Sequence, residues 1–183
     1  MLNDTPRTVE ECYTSATHSQ NLKCETRDDA PRSDTDVLIA CGLTPGILGS
    51  ALMRLASEWD GSSEKSIATA TDAILLMGKL KSLPRVLEAI EAWAALRGLD
   101  APKRLAQAVV AHWLDSACQP CHGRGHELIP GTPSLGRQCK VCKGTGKRKE
   151  PMGEAGRRAL NMCDEAVAVA RASMAKRLRN TRT

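Results

Sequence analysis

A mainly α-helical fold is predicted: a helical bundle with an inserted small four-cysteine module and a basic C-terminal helical region. Three observations predict it. Apolar residues recur every three or four positions along most of the chain, the period of a helix with one buried face. Aromatic residues are scarce, with three Trp, one Tyr and no Phe. The core must then be built from Leu, Ile, Val, Met and Ala, which suits packed helices more than a sheet. Two copies of CxxCxGxG, at 118–125 and 139–146, interrupt the helical pattern.

The 183 residues suffice for one ordinary domain plus a small module. Residues 1–33 are polar, mixed in charge and without hydrophobic periodicity, and are expected to form a disordered or loose arm. A helical domain is expected over 34–117. Asp34, Thr35 and Asp36 offer capping side chains to a first helix carrying Val37, Leu38, Ile39 and Ala40, which ends at Gly42. Thr44 and Pro45 read as an N-cap and first position of the next helix, with Leu48, Leu52, Leu55 and Trp59 on one face. Helix, glycine, short turn and helix admit a helix-turn-helix that reads DNA. Leu38 stands where such motifs prefer a small residue, and simple antiparallel packing is the favoured reading.

Ser62 and Ser63 cap a helix over roughly 64–81, with Ile67, Ala70, Ile74 and Met77 inward. Ser82-Leu83-Pro84 breaks it and starts a helix to Arg97 that buries Val86, Leu87, Ile90, Trp93 and Ala94, with Gly98 as its stop. Asp100 and Pro102 open another helix, which carries Leu105, Val109, His112 and Trp113 and delivers Cys118 into the module. His112 is expected to be a core or boundary histidine.

The module spans 118–149. CxxC, a gap of 17 residues from Cys121 to Cys139, and a second CxxC is a zinc-site spacing. Cys118, Cys121, Cys139 and Cys142 are the expected ligands of one structural Zn2+. Each tetrad must turn sharply after its second sulfur while amides point at the thiolates, and Gly123, Gly125, Gly144 and Gly146 permit that. A redox dithiol would belong near a βαβ pattern, of which there is no sign. A disulfide pair would need an oxidising compartment, and no signal peptide is evident. His122 and His126 are expected to be loop histidines. Cys12, Cys24, Cys41 and Cys163 have no partner at ligand spacing and read as reduced, mostly apolar residues. The insert between the tetrads reads as a hairpin or loop. The module is too small for a core of its own, so the metal should supply most of its folding free energy.

The C-terminal region, 150–183, is expected to pack on the helical domain. Leu160, Cys163, Val167, Ala170, Met174 and Leu178 mark one apolar face, on one long helix or on two bent near residues 162–164.

Net charge is +5, and it is unevenly placed. Residues 118–149 hold seven bases and one acid, and 150–183 hold seven bases and four acids. That concentration points to a polyanion. With so few aromatics for base stacking, duplex phosphates fit better than single strands. The candidate contacts are Arg124, Arg137, Lys140, Lys143, Lys147, Arg148, Lys149, Arg157 and Arg158. A solubilising surface is the plainer reading of the same charges. No apolar run is long enough for a bilayer, so a cytoplasmic, non-membrane protein is expected. The GxxxxGK[ST], HExxH and GxSxG patterns and the deaminase ligand set are missing. An enzyme and a small-molecule substrate are therefore not expected.

Paired CxxCxGxG tetrads resemble the cysteine-rich region of DnaJ-type chaperones, which implies a protein-binding chaperone or adaptor without a nucleic-acid role. That family carries four tetrads and a J domain with an HPD tripeptide; here there are two tetrads and no such tripeptide. A closer resemblance is to the late-gene antitermination protein Q family of lambda-type bacteriophages. It rests on 33–37 leading into an Ala/Gly-rich helix, on the tetrads with their insert, and on Pro151 to Leu160 with Ala155, Arg157 and Ala159. The resemblance implies a transcription antiterminator in the host cytoplasm. Such proteins bind a DNA element at the late promoter, engage bacterial RNA polymerase with its sigma factor, and let it read through terminators.

Overall fold

A computed structural model describes residues 8–19, 33–60, 78–129, 131 and 134–180. Among them the fold is mainly helical, with one two-stranded sheet. The chain divides into two compact units: Met1–Ala89 with Asn161–Thr183, and Ile90–Leu160. These limits differ from the expected 34–117, 118–149 and 150–183, because two helices each contribute residues to both units.

The first unit opens with helix α1, Val9–Thr17, which lies inside the stretch expected to be a loose arm. A capping box starts it: Thr8 Oγ1 accepts the Glu11 amide, and the Glu11 carboxylate accepts the Thr8 amide at 2.8 Å. Tyr13 and Ala16, one turn apart, are both 1% exposed. Helix α1 packs on helix α2 (Asp34–Gly42) and helix α3 (Ile47–Asp60). The cap of α2 is Ser33, one residue before the predicted group, with Asp36 closing the box at 2.9 Å. Thr44 does not cap α3. Its hydroxyl and amide both donate to the Cys41 carbonyl, at 2.9 and 3.2 Å, so it closes α2 instead. Gly46, at φ +81°, then turns the chain into α3. The helix expected over 64–81 lies mostly outside the described residues.

Leu52 and Leu55 of α3 are fully buried, while Leu48 and Trp59 are half-buried. Gly49 is buried where a Cβ would meet the Ala166 carbonyl and the Ala170 side chain. The missing side chain thus lets α3 approach the C-terminal helix backbone to backbone. The end of α3 also holds the start of the next helix: Ser82 donates its amide and hydroxyl to the Glu58 carboxylate at 2.9 and 2.8 Å.

Helix α4 (Leu83–Leu96) buries Val86, Ile90 and Ala94. It stops as expected at Gly98: Gly98 N–H bonds to the Ala95 carbonyl and Leu99 N–H to that of Ala94. Trp93 is half-buried under the Arg97 guanidinium, 4.5 Å from the ring centre. In the second unit, helix α5 (Pro102–Leu114) buries Leu105, Ala106, Val109 and Val110. The segment between α5 and the last helix contains the cysteines, a 3-10 turn at Gln119–Cys121 and an antiparallel pair, β1 (His126–Leu128) and β2 (Leu135–Gln138). The chain ends in a single helix, α6, Gly153–Asn180, which resolves the choice between one helix and two. Its buried stripe is Ala159, Cys163, Val167, Ala170, Met174 and Leu178, with Leu160 half-buried at its edge. No described helix is long and apolar enough to cross a membrane.

Candidate metal centre

Two local turns build the centre, and each has the same construction. After the second cysteine, His122 and Lys143 take left-handed backbone at φ +47° and +50°. Gly123 and Gly144 follow at +80° and +84°, then Gly125 and Gly146 at +77° and +71°. In each turn the amide six residues after the first cysteine returns to the carbonyl of the second: Arg124 to Cys121 at 3.0 Å, Thr145 to Cys142 at 3.1 Å.

The turns are then joined reciprocally. The Cys118 amide donates to the Gly146 carbonyl, and the Cys139 amide donates to the Gly125 carbonyl, each at 2.8 Å. A Cβ on Gly125 would overlap the Gly144 carbonyl oxygen, and one on Gly146 would overlap that of Gly123. The glycines are therefore required twice, by the positive φ and by the contact between the turns. The result is an approximate two-fold arrangement in which every residue of the first turn corresponds to one 21 positions later.

At its centre the four sulfurs of Cys118, Cys121, Cys139 and Cys142 lie within 4.8 Å of one another, and all four cysteines are buried. The related pairs, Cys118–Cys139 and Cys121–Cys142, have S···S distances of 4.0 and 3.7 Å. A tetrahedral ion with metal–sulfur bonds of about 2.3 Å needs sulfurs roughly 3.8 Å apart. The donor set and its size therefore suit a metal ion. The Gly125 amide donates to Cys121 Sγ at 3.3 Å, which is a contact that stabilises thiolate. Burial, then the Cys121 thiol, pushes the pKa of Cys118 up to about 12. At Cys142 burial acts upward too, but the amides of Gly146 and Gly144 and the thiols of Cys121 and Cys139 outweigh it and bring it to about 7.

His122 is exposed, and His126 sits in β1 opposite Gln138; neither joins the four-sulfur group. His112 is half-buried on α5, and its pKa is lowered by burial and then by the charge of Arg148. Cys41 and Cys163 are buried thiols whose pKa values burial raises, that of Cys163 to about 12, which fits the apolar role expected of them.

Supports around the centre were not foreseen in the sequence. The Gln138 amide group donates to the Lys143 carbonyl at 3.1 Å, bracing the second turn at its left-handed residue. Asp115 accepts from the Ala117 amide at 3.0 Å and from the Gln119 side chain at 3.2 Å, bracing the first. An Asp directly after an apolar helix is a turn signal that could have identified the second of these.

The predicted nucleic-acid contacts separate into two groups. Arg124, Arg137, Lys140, Lys143, Lys147, Lys149 and Arg158 are exposed. Arg148 is not a surface cation. Its Nη2 donates to the Ala111 carbonyl at 3.2 Å and to that of Asp115, and its amide donates to the Ser116 carbonyl at 2.8 Å. The cause is electrostatic: the guanidinium sits at the C-terminal, negative end of the α5 dipole, where the Ala111 carbonyl already accepts the Asp115 amide at 3.3 Å and Asp115 is the extended C-cap residue. Arg157 is exposed but bonds to the Glu150 carboxylate at 2.7 Å, which offsets its charge. No family model matches the chain, and no curated protein or solved structure matches it either.

Proposed function

We propose that this chain is a zinc-scaffolded, DNA-binding transcription antiterminator of the lambda-type late-gene class, acting in the cytoplasm of a bacterial host. One observation carries the reading. The four-thiolate centre fixes a module whose exposed cations, Arg124, Arg137, Lys140, Lys143, Lys147 and Lys149, face a single acid in the segment, Glu127. Fixed cations with few aromatics suit duplex phosphates, where counterion release drives binding. Four cysteine donors of the right size favour zinc, in a structural role with no open position. The partners on this reading are double-stranded DNA and RNA polymerase with its sigma factor. No catalytic role is assigned.

The test has two parts. Duplex binding by the zinc-loaded protein should weaken steeply with salt, with a slope near −0.9 for each phosphate neutralised. Lys140→Ala with Lys143→Ala should flatten that slope by about 1 to 2. Purified protein added to transcription from a lambda-type late promoter should increase read-through of a downstream terminator. Unchanged read-through would sink the antitermination role, and salt-independent duplex binding would sink the phosphate contacts.

A second reading has its own support. Leu128, Ile129, Leu135 and Val141 of the same module are 44%, 45%, 57% and 69% exposed. Exposed aliphatic side chains on a metal module suit a protein-binding adaptor of the DnaJ-like kind. Salt-insensitive binding to unfolded polypeptide, without duplex binding, would favour it.

A further inference from the structure

The first unit contains a cleft of about 770 Å³ formed by the end of α1, by α2 and α3, and by the residues leading into α4. Its charge is one-sided. Among the described residues Arg54, Lys79, Lys81 and Arg85 line it, all exposed, against one carboxylate, that of Glu58. Glu58 is already committed, since both of its oxygens accept from Ser82. Among the described residues none of these four cations is in an ion pair within 4 Å. Arg54 is held in place by its bond to the Tyr13 hydroxyl at 3.4 Å. Leu38, Ile47 and Ala51 add an aliphatic part to the lining, with Ile47 and Ala51 on the same face of α3 as Arg54. Ile47 is 58% exposed, and Ile39 and Leu43, next in sequence to the lining residues Leu38, Gly42 and Thr44, are 53% and 55% exposed.

We infer that this cleft is a docking site for an acidic peptide segment with aliphatic anchors on a partner protein. Two features select that ligand. Unpaired cations facing one acid attract carboxylates and steer their approach. The aliphatic lining and rim bury Leu, Ile or Val side chains, which a polynucleotide lacks, and among the described lining residues there is no Phe, Tyr or Trp and only the ring of His18 on which a base could stack. The volume lies within the range of pockets that enclose a ligand of a few residues. The site goes beyond the function proposed above, because it involves neither the metal centre nor DNA and stands whether or not they interact.

The test uses the 183-residue chain and a random dodecapeptide display library. The expected pool combines two or more Asp or Glu with Leu, Ile or Val. Synthetic copies of the selected peptides should bind with salt-sensitive affinity. They should lose at least tenfold on Lys79→Glu/Lys81→Glu/Arg85→Glu, and again on Ile39→Ser/Leu43→Ser. The milder Lys79→Gln/Lys81→Gln/Arg85→Gln, with an unchanged circular-dichroism melt, separates lost docking from lost folding. A pool without acid enrichment, or peptides that bind the charge-reversed chain equally well, would overturn the inference. So would displacement of the peptides by a short DNA duplex. Self-association abolished by these same substitutions would assign the cleft to a second copy of the chain and overturn it too.

Discussion

Replacing Gly125 by alanine tests the reciprocal joint between the two turns, and Gly131 supplies its control. Both glycines have nearly the same backbone, φ +77° and +78°, but a Cβ on Gly131 meets nothing within 4 Å. Left-handed strain for alanine costs about 1–2 kcal/mol at either site. At Gly125 the new Cβ also overlaps the Gly144 carbonyl, so the turns must separate. Two contacts are then lost or weakened: the Cys139 amide to the Gly125 carbonyl at 2.8 Å, and the Gly125 amide to Cys121 Sγ at 3.3 Å. At about 0.5–1.5 kcal/mol each they add roughly 1–3 kcal/mol. Since binding of the ion is coupled to folding of the module, Gly125→Ala should weaken metal affinity about 5- to 150-fold more than Gly131→Ala. Competition against a chromophoric chelator at fixed pH measures the ratio. Equal affinities in the two variants would refute the joint.

Three further outcomes are expected. Gly49→Ala should destabilise the first unit by up to about 2 kcal/mol in a denaturant melt, because overpacking against Ala166 and Ala170 costs about 1–3 kcal/mol and alanine's helix propensity returns ~1; a gain in stability would contradict the close helix crossing. Arg148→Ala should lower the stability of the second unit by roughly 1.5–3 kcal/mol, the worth of hydrogen bonds from a charged donor, and should change the salt slope of DNA binding less than Lys140→Ala; the reverse ranking would make Arg148 a surface contact after all. Cys163 has a folded pKa of about 12 against 9.0 unfolded, so the folded state retains its proton more tightly. Its contribution is complete below pH 9.0 and declines as pH rises towards 12, by up to about 1.4 kcal/mol per unit. Cys163→Ala should remove that alkaline component from unfolding midpoints measured across this window, and an identical pH profile in the variant would refute it.

Local, repeated signals were legible in the sequence, and signals that depend on distant backbone were not. Helices α4 and α6 follow from the spacing of Val86, Ile90 and Ala94, and of Cys163, Val167, Ala170, Met174 and Leu178. The cysteine group follows from spacing as well, because two matching turns constrain both ligand number and geometry. Helix α1 was hidden because, among its described side chains, only Tyr13 and Ala16 are buried, too few to produce a period. Its signal was the Thr8-to-Glu11 capping box, which is readable without any apolar face. Thr44 is ambiguous for a physical reason: one hydroxyl can serve a helix end behind it or a helix start ahead, and Gly46 displaces the start to Ile47. A charge count cannot tell Arg148 from its exposed neighbours Lys147 and Lys149. Which of them turns inward depends on where the final carbonyls of α5 fall, more than thirty residues earlier.

The two-fold construction of the metal centre also bears on how an ion held there would leave. Each turn supplies one carbonyl to the other and takes one amide in return. A state with the ion on only one pair of thiolates would lose both bridges together, so half-released intermediates should be scarce. Exchange should then be limited by spontaneous opening of the joint. A competing chelator would collect the ion at a rate that no longer rises with the chelator's own concentration.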